Sequence, residues 1–134
     1  MSTQIPTQDI ASYLDTGTTQ ITLGTNMFYG LVREHSTIIP VTCVFVANIG
    51  GRSPDRIMAS TAQEIRYEDV QVRVRSSGWS NGEALVKTIY GVLQSAKPAS
   101  YLDVRSIGNP VFLEQDDNTH YHWSLNFRTT YNST

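Results

Sequence analysis

Near the end of the chain, apolar and polar residues alternate without a break. Tyr121, Trp123, Leu125 and Phe127 share one face of the period; His120, His122, Ser124, Asn126 and Arg128 share the other. A period of two belongs to a half-buried strand. Residues 110–114 (PVFLE) read as a shorter strand before it. Gln115-Asp116-Asp117-Asn118 reads as the turn between them, because Asp and Asn side chains bond their own backbone. The pattern predicts a hairpin with an aromatic inner face.

The same reading, taken from the start, predicts a short first helix. Thr7 is its expected cap, Asp9 stands in its first turn, and Gly17 stops it. Ile10, Tyr13 and Leu14 form its apolar face. Residues 18–24 (TTQITLG) and 26–34 (NMFYGLVRE) read as two β segments, and 35–40 as a loop. Residues 41–48 form the most apolar run and predict a central strand. Residues 49–60 (IGGRSPDRIMAS) break the pattern as a loop. Val70, Val72 and Val74 then alternate with Gln71, Arg73 and Arg75, a strand with one wet or partner-facing side.

Ser80-Asn81-Gly82-Glu83 matches a capping box. The helix behind it runs to about Ala96 with Leu85, Ile89, Val92, Leu93 and Ala96 as its stripe, and Pro98 ends it. Burying each large member is worth roughly 1.5–3 kcal/mol, and the Trp123/Phe127 face is the expected partner. Residues 100–107 (SYLDVRSI) alternate as another strand, and 131–134 form a polar tail. The expected fold class is α+β: a mainly antiparallel β-sheet packed by two α-helices, in one domain over residues 1–134.

Composition narrows the function. Charged residues are 16% of the 134, the net charge is -2, and only Lys87 and Lys97 are lysines. A protein that grips nucleic acid by neutralising phosphates needs a basic face, which this balance does not favour. The single cysteine, Cys43, lies in VTCVFVA and reads as a buried hydrophobe. The first ten residues lack the basic and apolar regions of a signal peptide, and no run reaches membrane-span length.

Candidate chemistry is sparse. His120 and His122 form an H-x-H pair beside Asp116 and Asp117, but zinc needs three or four converging ligands. His35 sits in the loop with no evident partner. Gly50-Gly51-Arg52 lacks the spacing of a phosphate-binding loop. Asp116 and Asp117 are adjacent and sit in a turn signal, so they make a poor acid/base dyad. No catalytic, cofactor or metal residues are assigned, and no enzyme is expected.

The order of patterns resembles the tail-terminator family of long-tailed bacteriophages, whose members are often labelled minor capsid proteins. DIASYL, LGTNMFYG, VTCVFVANIGG with a Pro-containing loop behind it, VQVRVR, EALVKTIYGVLQ and PVFLEQDDNTHYHWSLNFRTTY carry the resemblance, from about Gln8 to Tyr131. It implies a ring-forming protomer, usually hexameric. Such a ring caps the tail tube, terminates tail polymerisation and forms the tail side of the head–tail joint. The implied partners are further copies of the chain, the tail tube protein and a connector or stopper protein. Genomic DNA passes through the ring without specific binding, and no membrane is involved. The implied place is the head-proximal end of the virion tail, after assembly in the host cytoplasm. A head-completion or connector-stopper protein is the alternative; a small metal-dependent enzyme is the remote one.

For a ring, two segments are the expected subunit contacts. One is the glycine–arginine loop with Gly50, Gly51, Arg52 and Arg56; the other is the wet strand face of Gln71, Arg73 and Arg75. Arginine offers planar multidentate bonds and is enriched at interfaces.

Overall fold

Two thirteen-residue strands, β4 (Glu64–Ser76) and β7 (Tyr121–Ser133), pair antiparallel along their whole length. The computed structural model describes residues 4–18, 20–29, 42–56, 64–94, 98, 100–116 and 119–133. Shorter strands fill the outer edges of the central pair in tandem. Along β4 run β2 (Cys43–Gly50) and β3 (Asp55–Arg56). Along β7 run β5 (Tyr101–Ser106) and β6 (Val111–Gln115). The three-residue β1 (Met27–Tyr29) adds parallel to β2, so the seven-stranded sheet is mixed but mainly antiparallel.

The register explains the core. Val70 faces Phe127, Val72 faces Leu125 and Val74 faces Trp123 across β4 and β7, all six buried. Helix α1 (Pro6–Gly17) lays Ile10, Ala11 and Leu14 on this face, and α2 (Trp79–Gln94) lays Leu85, Val86, Ile89 and Leu93 beside them. Both helices therefore cover one side of one sheet, an α+β arrangement of two layers.

Several expectations need correction. Of the expected strand 18–24, the described residues 18 and 20–24 form no strand; among them only Leu23 makes an isolated bridge, to Met27. Side chains take the backbone groups a strand would use. Asn26 Oδ1 accepts the Thr22 N–H at 2.7 Å, its Nδ2 donates to the Gln20 carbonyl at 3.0 Å, and Asp15 accepts the Leu23 N–H at 3.2 Å. Helix α1 starts one residue before Thr7, with Pro6 at its first position, where a missing N–H costs nothing. Its cap residue is Ile5, whose N–H is accepted by Asp9 at 3.2 Å.

The capping box fails too. Helix α2 begins at Trp79, so Ser80 lies inside its first turn, and Glu83 accepts the Trp79 indole N–H at 2.8 Å. In the turn before the helix, Ser76 Oγ donates to the Gly78 carbonyl and accepts its N–H. Strict alternation fails in β5, where a bulge between Tyr101 and Asp103 puts Tyr101 and Val104, not Leu102, on the buried side. The stretch read as the loop 49–60 contains the end of β2 and all of β3, and Tyr131–Ser133 of the expected tail belong to β7. Residues 30–34 of the second β segment, the loop 35–40 with His35, Val41, residues 57–60, the helix end at Ala96, and Asp117-Asn118 of the hairpin turn lie outside the described residues.

Candidate interaction surface

The strand β6 buries none of its five side chains. Among the described residues it pairs with β7 alone, and its partners explain which way each residue points. Phe112 lies opposite Trp123, on the helix side. Val111 lies opposite Ser124 and Glu114 opposite His122, on the far side. Leu113 falls at the bulge between Phe112 and Glu114. Apolar groups therefore protrude on both sides of one sheet edge, and a helix layer on a single side cannot cover them.

Of the eight large apolar side chains exposed among the described residues, three are consecutive here: Val111, Phe112 and Leu113 are 40% to 51% exposed, and Trp79, 44% exposed, stands against Phe112. Leu102 and Ile107 are exposed farther along β7, on and just after β5. Scattered exposed apolar residues are ordinary, but a contiguous patch marks a contact surface. The Trp79 ring lies 4.8 Å from Phe112, 5.4 Å from Trp123 and 5.7 Å from Tyr121, centroid to centroid. Its bond to Glu83 fixes the indole in that position. Between α2 and β6 the rings wall a groove of about 510 Å³, floored by Val86, Tyr90 and Trp123 and rimmed by Glu83 and Lys87.

The seven expected contact residues fall into two places along β4. Gln71, Arg73 and Arg75 do share one sheet face, the side away from the helices. Gln71 Nε2 donates to Ser124 Oγ at 3.0 Å, and the Arg75 guanidinium stands 6.0 Å from the Phe45 ring centre. Beside Arg75, Cys43 is buried, and that burial pushes its thiol pKa up. On the same face Arg128 donates twice to Asp69, at 2.9 and 3.1 Å.

The Gly50, Gly51, Arg52 and Arg56 group sits at the other end of β4. Gly50 and Gly51 have φ of +103° and +146°, and a Cβ on Gly51 would stand 2.2 Å from the Tyr67 carbonyl oxygen. Only glycine allows that approach and that backbone. Arg52 stacks 4.4 Å over Tyr67 and pairs with Asp55 at 3.1 Å, while Tyr67 donates to Asp55 at 2.7 Å. Arg56 pairs with Glu64 in the β3–β4 ladder.

The histidine pair works as part of a hairpin clasp. His122 Nε2 lies 2.8 Å from Asp116 Oδ2, and the His120 backbone N–H donates to Asp116 Oδ1 at 2.9 Å. Among the described residues no three His, Cys, Asp or Glu side chains converge as a metal site. None of their helices is long and apolar enough to cross a membrane.

Sequence reasoning passed over the β6 edge. The signal was there: Val111, Phe112 and Leu113 are three consecutive large apolar residues in a strand where one sheet face should claim only alternate ones.

No curated protein matches the chain. A family model described as "Bacteriophage tail terminator protein" matches residues 19–133. The chain belongs to the bacteriophage tail terminator family, and its role is that of a structural protein of the phage tail.

Proposed function

We propose that this protein closes the finished tail tube as a head-to-tail ring, halts tube polymerisation and presents its outer face to the connector of the head. The observation that carries this reading is the family match over residues 19–133. The whole chain serves as one ring-forming domain, and the ring is a hexamer at the head-proximal end of the virion tail. It acts without catalysis, cofactor or metal. Gly50, Gly51, Arg52, Arg56, Gln71, Arg73 and Arg75 contribute to subunit contacts. DNA slides through without specific binding.

Physical reasoning supports the arrest step. Head-to-tail copies form a closed ring with two chemically different faces. One face matches the last tube ring; the other need not template another. That asymmetry is enough to stop growth.

The test uses phage lacking this protein. Its tails should be irregular or overlong and should fail to join filled heads, and adding purified protein to growing tubes should arrest them. Six chains of 15.0 kDa make about 90 kDa by native mass spectrometry. Normal-length tails beside leaking heads would instead make the protein a head-completion component.

A further inference from the structure

We propose that the β5–β6 edge of one copy, with Trp79 above it, docks on the Arg73/Arg75 face of β4 in a second copy. The contact rests on the ring reading above and names its two halves.

The first argument is shape. β6 offers an unpaired main-chain edge among the described residues, with apolar side chains on both sides of it. Natural edge strands are protected by lysine, proline, bulges, charge or a cover. The bulge and Glu114 guard the main chain of β6, so what is left for a neighbour is its bare apolar side chains, which suit docking on a sheet face.

The second argument is area. Trp79, Val111, Phe112 and Leu113, left 40% to 51% bare, present on the order of 300 Å² of apolar surface. A stable chain–chain interface takes roughly 800 Å² from each partner, a little over half of it apolar. The patch is the right size for the apolar centre of such an interface.

The third argument is charge. Residues 107–122 carry Glu114, Asp116 and Asp117 and no lysine or arginine, while Arg105 of β5 is paired with Asp103 at 3.3 Å and Lys87 on the groove rim with Glu83 at 3.5 Å. The partner surface should therefore be basic. The VQVRVR strand supplies Arg73 and Arg75 on one sheet face. Arginine suits the task, because its planar group lies over apolar surface while its N–H groups reach carboxylates. The two halves are different surfaces, so the contact is heterologous and repeats around a ring instead of ending at a dimer.

The heterologous geometry gives a sharp test. Two variants are made: Val111→Glu with Leu113→Glu, which spoils only the edge, and Arg73→Glu with Arg75→Glu, which spoils only the basic face. Arg73→Glu alone serves as a milder version, because Arg75 lies against Phe45. Circular dichroism and melting curves check each fold. Each variant alone should run as a monomer in native mass spectrometry, with association weakened at least about tenfold. Mixed together, they should form a dimer of about 30 kDa and nothing larger, since one good contact remains per pair.

A folded V111E/L113E variant that assembles like the unmodified chain overturns this contact and leaves the ring reading standing. So does a mixture of two folded variants that yields no dimer. An unmodified chain that stays monomeric while arresting tubes overturns the ring reading, and this contact with it.

Discussion

Gly82 lies so close to Trp123 that a Cβ placed on it would stand 2.2 Å from the indole ring. The first turn of α2 is thus seated directly on the start of β7. On an open helix, Gly→Ala gains about 1 kcal/mol of helix propensity. Here the ring cannot retreat, because Trp79, Phe112 and Tyr121 close around it. Overpacking of this kind costs about 1–3 kcal/mol. Gly82→Ala should therefore lower the melting temperature despite the better helix former.

Trp123→Ala removes the ring from a buried site and should cost about 3–5 kcal/mol, enough to unfold or insolubilise the chain. The pair should be strongly non-additive. In a folded Trp123→Leu background, Gly82→Ala no longer meets the ring but only the Ser76 Cβ at 2.9 Å, and should cost less in urea unfolding. A wild-type melting temperature for Trp123→Ala would show that the inner face of the hairpin is wrongly assigned.

Alkaline pH should find two weak points. Tyr101 is buried and donates to Asp9 at 2.6 Å; burial first, and then this bond, push its pKa far above the usual value. Tyr131 is pushed up to about 12 by burial and by its bond to Glu68. An unfolded tyrosine titrates near 10. A folded pKa above the unfolded one gives stability that is fully present below about pH 10 and lost as pH rises through the folded value. The melting temperature should thus be insensitive to these groups from pH 7 to about 10, then fall steeply. Tyr101→Phe should be less stable at neutral pH, because Asp9 loses a donor, yet show a shallower alkaline fall. An equal fall in both proteins would refute the assignment.

The histidines should hold no zinc. His122 and the His120 backbone are already engaged by Asp116, and a structural zinc site needs four ligands. Chelator treatment should leave the melting temperature unchanged, and His122→Ala should fold. Stoichiometric metal in chelator-free protein, lost in a His120→Ala/His122→Ala variant, would reverse this view.

The sheet core was legible because its signal is local. Val70, Val72 and Val74 alternate by themselves, and Trp123, Leu125 and Phe127 do the same, so both strands announce their buried side before they meet. Helix α2 was legible for the same reason through Leu85, Ile89 and Leu93. The misreadings depend on partners distant in sequence. The β5 bulge exists only in register with β7. Glu83 leaves its expected cap because the Trp79 ring is held among Phe112, Tyr121 and Trp123. Turn 20–26 defeats a strand reading because Asn26 and Asp15 side chains claim its backbone. The apolar edge is not legible from its local run alone, because three apolar residues in a row suit a strand covered on both faces equally well, and only the helices' placement on one side of the sheet leaves the other bare.

The last prediction separates two adjacent glycines. At Gly50 the backbone has φ of +103°, but a Cβ would meet nothing within 4 Å. At Gly51 φ is +146°, and a Cβ would stand 2.2 Å from the Tyr67 carbonyl oxygen and 3.1 Å from the Glu68 Cα. Gly50→Ala should therefore carry backbone strain alone, of order 1–3 kcal/mol. Gly51→Ala adds a collision with the β4 main chain, which cannot rotate aside as a side chain could. It should be the more destabilising of the two in chemical unfolding. It should also lift Arg52 from its stack on Tyr67, because the loop must move away from β4. If that loop contributes to subunit contacts, Gly51→Ala weakens assembly under conditions where the protomer is still folded, while Gly50→Ala does so less. Equal unfolding free energies for the two variants would mean that the loop does not rest on β4 in solution.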